Sequence, residues 1–391
     1  MTSAIESTET NQQKSDPQAK PPVSRRKFIR AGGVAAGAAA ATVAFPQVSR
    51  AETVTLKMQG AWGAADIFNE MAMQYVERVN KMASGRLKIE YLNAGAVVQA
   101  FQVQDAVHDG ILDAGHQVAA YWYGKHKAAS LFGTGPVFGA DAAQVLAWIH
   151  HGGGRDLYRE LIQDVLGLNL VGFFAMPMPT QPLGWFKKEI TSVDEMQGLK
   201  YRTVGLATDI MQGMGLRVTQ LPGGEIVPAL ERGVIDAFEY NNPTSDRRFG
   251  AQDVSKVYML SSYHQATEFF EIIFNKNRFE SLPQELQAIL EYGAEAANTA
   301  NFALAMDSYS SDLQGLINED GVKVYRTPQS VMEAQLKSWD TVLEKLNQDP
   351  VFKKIVDSQK EWAKRVGFFS LMGQADYELA YNHYFPGMLK G

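Results

Sequence analysis

The stretch from residue 198 to 246, GLKYRTVGLATDIMQGMGLRVTQLPGGEIVPALERGVIDAFEYNNPTSD, leaves the chain few folds to choose from. Its apolar pattern predicts a strand at 200–202, a helix at 208–214 ended by Gly215 and a strand at 217–221. A helix at 225–232 ended by Gly233 and a strand at 234–238 follow. Strand–helix–strand alternation implies a parallel sheet, because parallel neighbours need a crossover. Ligands of such sheets gather beyond the carboxyl ends of the strands. Arg202 stands at one such end and Glu239-Tyr240 at another, so a cation and an anion are expected to face one crevice. A plain surface Arg and a plain surface Glu are the alternative.

The same grammar occurs earlier. AVHDGILDAGH at 106–116 and ALERGVIDAFE at 229–239 both read Ala-apolar-x-x-Gly-apolar-apolar-Asp-Ala, a helix end closed by glycine and then a strand. Repetition at the same offsets implies two similar lobes. The segments that follow the two copies, 116–123 and 239–242, are then expected to face each other across a cleft.

The rest of the chain fits around those lobes. Val54, Leu56 and Met58 alternate with polar residues as a strand; Phe68, Met71, Ala72, Tyr75, Val76, Val79 and Met82 recur at helical spacing up to Ser84-Gly85. Leu87, Ile89 and Tyr91 form a second strand. Helices are predicted around 142–150 and 156–166, and a strand at 168–174. Pro177, Pro179 and Pro182 then predict an irregular, stiff crossing between lobes that holds Gln181 near the cleft. Strands at 257–260 and 269–275 precede a long helical pattern from Leu282-Pro283 to about 317, expected to lie along both lobes. A strand at 322–325 and a helix at 328–346 follow. Residues 350–384 read as one or two helices whose Phe352, Ile355, Trp362, Val366, Phe369, Leu371, Tyr377, Tyr381 and Tyr384 need a covering surface.

The first fifty residues have another character. A polar stretch leads to Ser24-Arg25-Arg26-Lys27-Phe28, then to an Ala/Gly run at 31–45 and a small-residue site at Ser49-Arg50-Ala51, the order of a twin-arginine (Tat) export signal. Cleavage after Ala51 leaves 340 residues, enough for two domains, with 30 Lys/Arg against 40 Asp/Glu, a net charge of −10. An acidic surface argues against nucleic acid as a partner. With no cysteine, the fold uses neither disulfides nor thiolate metal sites. His151-Gly152-Gly153-Gly154 looks like an oxyanion-hole motif, but the chain has no Gly-x-Ser-x-Gly, so the hydrolase reading falls. Dinucleotide, P-loop and HExxH motifs are absent too, and the seven histidines show no metal-ligand spacing.

With these residues in view, the mature chain resembles the solute-binding proteins of TRAP transporters, the DctP-type family, and within it the branch that binds 2-oxo acids and lactate. LNAGAVVQAFQVQDAVHDGILDAG, AYWYGKHKAASLFGTGPVFG, TQPLGWFKKEI, GLKYRTVGLATDIMQGMG and LPGGEIVPALERGVIDAFEY carry the resemblance. It implies an α/β fold, a two-lobed periplasmic binding protein of type II-like architecture with a ligand cleft between the lobes. The first lobe is then 52–178 with part of 250–285, and the second 179–249 with part of 300–346. A long helix at 284–318 spans both, and the helical extension at 350–391 makes a homodimer. The resemblance places the family's carboxylate-binding Arg on Arg202, where a guanidinium can grip a carboxylate with two parallel hydrogen bonds. It implies a bridging sodium or calcium ion held by Gln181, Glu239 and the backbone of Tyr240. Gln265 and Glu268 both remain candidates for a further polar contact, and Tyr121, Tyr123 and Asn93 for the cleft wall. The chain departs from the family at Tyr240, where Trp is usual, at Asn241-Asn242-Pro243, and around 263–268, which leaves pocket size open. The expected function is capture of a small organic monocarboxylate such as pyruvate or lactate in the periplasm, for a TRAP membrane permease. An aromatic 2-oxo acid or a sugar acid is the alternative ligand. A Tat-exported enzyme or a sensor is the alternative class.

Overall fold

The computed structural model describes residues 52–389; the predicted export signal lies outside them. The chain opens with β1 (Val54–Gly60), α1 (Ile67–Ala83) and β2 (Leu87–Leu92). Asp66 caps α1, and Ser84 in the left-handed region ends it. The predicted apolar face of α1 is buried with one exception: Met82 is exposed and Ala83 takes the inward place, four residues after Val79. Next come α2 (Val103–His108), β3 (Ala114–Gln117), α3 (Ala142–His151) and α4 (Gly154–Arg159), which runs on as a π-helical turn to Val165.

Strand β4 (Leu170–Met178) continues four residues past the predicted end, through Pro177. Three features make room for the proline. The strand lies at a sheet edge, Met176 takes φ +58°, and the pairing with the neighbouring strand shifts by one residue, a bulge. The irregular crossing therefore starts only at Pro179.

The second lobe follows as β5 (Gly184–Phe186), β6 (Lys200–Arg202), α5 (Ala207–Gly213), β7 (Arg217–Thr219), α6 (Ile226–Glu231), β8 (Ala237–Phe238), α7 (Pro243–Arg248), α8 (Ala251–Val254) and β9 (Val257–Leu260). The chain then crosses back into β10 (Glu268–Asn275), α9 (Lys276–Glu280) and the long α10 (Gln284–Asn318). It finishes with β11 (Lys323–Arg326), α11 (Gln329–Leu346), α12 (Pro350–Gly373) and α13 (Tyr377–Tyr384). Two sheets result: five strands in the order β2-β1-β3-β10-β4 and six in the order β11-β9-β5-β8-β6-β7. Strands β1, β2 and β3 are parallel, as are β6, β7 and β8, while β10 and β5 run against their neighbours.

The repeated motif has one geometry in both sheets. In each copy the glycine takes a positive φ, at Gly110 and Gly233, and of the apolar pair the first residue is exposed and the second buried. The Asp then clamps the adjacent parallel strand. Asp113 accepts from Lys57 N at 2.8 Å through its carboxylate while its own N–H donates to Lys57 O. Asp236 does the same with Lys200, at 3.3 Å and 2.7 Å. The strand begins at the following Ala in both cases, so the predicted strand at 234–238 shrinks to Ala237–Phe238. The strand predicted at 217–221 likewise ends at Thr219.

Helix α10 joins the lobes. Its Leu290, Ala294 and Ala297 enter the large core with Tyr75 and Phe174, and its Leu316 enters the smaller core of the second sheet with Trp185, Phe238 and Tyr258. The apolar C-terminal segment divides. Phe352, Ile355, Val356 and Ala363 of α12 are buried on the first lobe, where Trp362 Nε1 donates to Gln144 O at 3.0 Å. Phe368, Phe369, Leu371, Met372, Leu379 and Tyr384 are exposed. No helix among the described residues is long and apolar enough to cross a membrane.

Candidate functional site

The site grows out of the ends of β6 and β8. Arg202 pairs with Phe238 across the parallel ladder, so Glu239 N–H donates to Arg202 O at 3.2 Å and the two side chains leave their strands side by side. Both are buried, Arg202 at 1 % exposure and Glu239 at 0 %, which rules out the plain surface reading. Arg202 Nε donates to Leu221 O at 2.8 Å, and Nη1 donates to Glu239 O at 2.7 Å and Glu239 Oε1 at 3.1 Å. Nη2 makes no hydrogen bond among the described residues. Its two N–H groups are thus available to a ligand acceptor.

Three more polar groups come from the chain crossings. Gln181 lies on the first crossing and Gln265 on the second, joined by Gln181 N–H donating to Gln265 O at 3.2 Å. Glu268 opens β10. Gln181 Nε2 donates to Glu268 Oε2 at 2.6 Å, and Asn241 Nδ2 donates to the same oxygen at 3.1 Å. Glu268 Oε1 has no hydrogen-bond partner among the described residues. With the Gln265 amide turned so that its nitrogen faces Glu239, that nitrogen donates to Gln181 Oε1 at 3.0 Å and to the two Glu239 carboxylate oxygens at 2.9 Å and 3.0 Å. Gln181, Glu239 and Gln265 therefore converge on one point, with Glu268 beside it.

This cluster is short of positive charge. Burial pushes Glu239 up to about 7 against the pull of Arg202. Burial, and next the charge of Glu239, push Glu268 up to about 8. Two buried carboxylates share one guanidinium, and one carboxylate oxygen is orphaned. Turned the other way, the Gln265 amide faces Gln181 Oε1 and the Glu239 carboxylate with its oxygen, and that all-oxygen donor set with surplus negative charge fits a hard cation such as sodium or calcium. Gln181, Glu239 and Glu268 would hold it, and it would neutralise the second carboxylate and present a positive charge to a ligand anion.

The remaining candidates distribute unequally. The Tyr121 ring packs against Phe101 at 4.6 Å and Trp62 at 6.0 Å, and burial pushes its phenol up. The Tyr240 ring lies 5.6 Å from the Arg202 guanidinium. Tyr123 is committed elsewhere, donating to Asp209 Oδ2 at 2.6 Å beside Lys127, which bonds Oδ1. Asn93 is exposed in the turn after β2 and takes no part in the cluster. A cavity of about 470 Å³ opens at the mouth of the cleft, lined from both lobes by Asp66, Ala94, Gln99, Glu225, Tyr240 and Arg248. Asn241 lies in the 239–242 segment expected at the cleft, whereas Asp66 and Thr134, whose hydroxyl donates to the Gln265 oxygen at 3.3 Å when that amide nitrogen faces Glu239, were not foreseen as part of this region. An Asp as N-cap of the helix that follows the first strand marks the start of α1 but not the partner its carboxylate meets.

The family profile described as "Bacterial extracellular solute-binding protein, family 7" matches residues 58–349. The chain belongs to the DctP family. It is a TRAP-type solute-binding protein, a capturing receptor and not an enzyme. A curated relative from Nostoc sp., named a monocarboxylate 2-oxoacid-binding periplasmic protein, is 33% identical over 303 residues, 77% of this chain and 82% of that protein. Among solved structures, a TRAP solute-binding protein from Bordetella bronchiseptica superposes with a TM-score of 0.79 at 29% identity, covering 85% of this chain and 97% of that one. That crystal holds a dimer with copurified calcium and picolinate in one active site. A second, from Pseudoalteromonas atlantica with bound sodium and pyruvate, superposes at 0.78 with 28% identity, covering 85% and 99%. The two-lobed DctP architecture accounts for the two sheets of this chain.

Proposed function

We propose that this DctP protein captures a small 2-oxo monocarboxylate of the pyruvate class together with a sodium or calcium ion, and hands it to a TRAP membrane permease. The observation that carries the reading is the buried Arg202, its Nη2 open, beside two carboxylates that a single guanidinium cannot neutralise. A 2-oxo acid offers such a site a carboxylate for the guanidinium and an adjacent oxygen pair for a cation. The name of the Nostoc relative and the sodium and pyruvate bound in the Pseudoalteromonas structure support the same class, and the calcium and picolinate of the Bordetella structure support the pairing of a carboxylate with a cation.

Each residue then has a task. Arg202 orients the carboxylate, and its own bonds to Leu221 O and Glu239 O keep the guanidinium from turning. Gln181, Glu239 and Glu268 hold the cation, with the backbone of Tyr240 as a further oxygen source. Gln265 braces Glu239. Lobe boundaries follow the sheets: 52–178 with β10 for the first lobe and 179–249 with β9 and β11 for the second. Because Gln181 and Gln265 sit on the crossings, filling the site stiffens the segments about which the lobes turn. The exposed apolar face after Phe368 fits a second copy of the chain, and the Arg25-Arg26 leader fits Tat export to the periplasm.

A thermal-shift screen of small carboxylates, with and without calcium or sodium, tests the ligand class. Ligand at about a thousand times Kd stabilises by about 4 kcal/mol. A shift with pyruvate that needs the cation is expected; a shift only with bulkier acids moves the specificity, and none at all removes the reading.

A further inference from the structure

A polar cluster at the cleft mouth stands apart from the carboxylate and cation positions. Asp66 belongs to the first lobe, where Oδ1 accepts from Phe68 N at 3.0 Å and caps α1. Capping needs one oxygen. The same carboxylate also reaches the second lobe: Oδ2 accepts from the Tyr240 hydroxyl at 2.6 Å and Oδ1 from the Ser245 hydroxyl at 2.7 Å. Both donors are aimed. Asn242 Nδ2 bonds Ser245 Oγ at 3.1 Å while Asn242 Oδ1 accepts from Ser245 N at 2.8 Å. The Tyr240 ring is set edge-on against Phe249 at 5.3 Å and lies 6.3 Å from Phe68 of the first lobe. Gly223 leaves the room, since a Cβ there would stand 2.6 Å from the ring.

We infer that Asp66 is a positioning residue for solute capture, the first-lobe half of a latch whose other half is Tyr240 and Ser245. Tyr240 directly follows Glu239, whose carbonyl and carboxylate Arg202 grips, so what holds Tyr240 holds that corner closed. The inference rests on the ligand reading above. The bonds are built to open as well as to close. Asp66, Tyr240 and Ser245 all line the cavity of about 470 Å³ at the cleft mouth, so on opening each exchanges its partner for water and none is left buried and bare. The fully buried Glu271, by contrast, takes bonds from Gln117, Trp122 and Tyr158 of its own lobe and acts as a fixed brace. Arg248 adds a looser cross-lobe contact, 3.4 Å from Glu70 Oε2.

Two experiments test the latch. With calcium present, the pair Tyr240→Phe and Ser245→Ala leaves the α1 cap intact. It is expected to raise the pyruvate dissociation rate about tenfold with little change in association rate. Asp66→Ser, which keeps a capping oxygen but cannot span both donors, is expected to behave alike. The melting temperature of the ligand-free variants should match that of the parent protein. An unchanged dissociation rate, or a ligand-free melting temperature that falls in step with it, overturns the latch. The chain has no cysteine, so Asp66→Cys with Ser245→Cys gives a test that needs no ligand. Mild oxidant is expected to link the pair and reductant to free it. No link, with or without pyruvate and calcium, overturns the latch; a link in a protein indifferent to pyruvate overturns the ligand reading and leaves the latch standing.

Discussion

Arg202 has three of its hydrogen bonds fixed inside the protein, to Leu221 O and to Glu239, and that fixes what can replace it. A lysine carries the charge but neither the fork nor the reach for these bonds. Arg202→Lys is expected to weaken pyruvate binding by about a hundredfold, roughly 3 kcal/mol, in titration calorimetry. Retained affinity would show that the carboxylate is held elsewhere. The carboxylates beside it set a pH dependence. In the cation-free protein Glu239 at about 7 and Glu268 at about 8 hold protons more tightly than the unfolded chain does near 4.5. The folded state then binds excess protons between those limits, and stability falls as pH rises through the window. A cation replaces those protons, so calcium should raise the melting temperature more at about pH 8 than at about pH 5. Equal shifts at both would exclude Glu239 and Glu268 from the cation site. At this scale Arg202 and Glu239 were legible from strand ends and Gln181 from the proline-rich crossing, whereas Gln265 and Glu268 were candidates only through the family resemblance. Asp66 and Thr134 were hidden: Asp66 meets Tyr240 across 174 residues of chain, and no local pattern encodes that encounter. Asn93 and Tyr123 sat near the right strand ends but turned to solvent and to Asp209.

Elements were legible where periodicity and punctuation agreed, and shifted where one side chain overruled the pattern. The repeated Asp is the clearest case. Its clamp on the neighbouring strand delays the start of pairing to the following Ala, which shortened β8 relative to its apolar run. Asp113→Ala and Asp236→Ala are each expected to cost about 1 kcal/mol in denaturant unfolding. The clamps lie in separate sheets, so the double variant should cost the sum; strong non-additivity would contradict independent clamps. Pro177 misled in the other direction. Proline excludes a central strand but not a bulged edge, and edge status is a property of the sheet, not of the segment. A firmer constraint sits at Gly184 in β5, with φ +129° and a would-be Cβ only 2.2 Å from Phe238 O. Gly184→Ala should destabilise by more than about 2 kcal/mol, measured by the same unfolding curves. A near-neutral result would mean that β5 and β8 are less closely apposed than described.

For the whole molecule, the two-sheet plan followed from the repeat and the βαβ grammar, and the long helical pattern from 282 to 317 foretold a helix that ties both cores. What the pattern could not divide was the C-terminal apolar segment, because amphipathic spacing looks the same whether the covering surface is the same chain or another. Burial separates them: Phe352 and Ile355 pack inward, whereas Phe369 and Leu371 stand in the open. Phe369→Glu with Leu371→Glu is expected to convert a dimer to a monomer in light scattering while pyruvate affinity stays unchanged, since both side chains are exposed and neither lines the cleft cavity. A parent protein that is already monomeric would remove the second-copy reading.

In the proposed function, solute carboxylate and cation are bound together, by one guanidinium and an oxygen cluster at the chain crossings. Titration calorimetry of pyruvate into chelator-treated protein, with and without added calcium, tests it most directly. Tight binding that appears only with calcium, and calcium binding that strengthens in turn with pyruvate, is the predicted result. Pyruvate binding of equal strength in both preparations would contradict it.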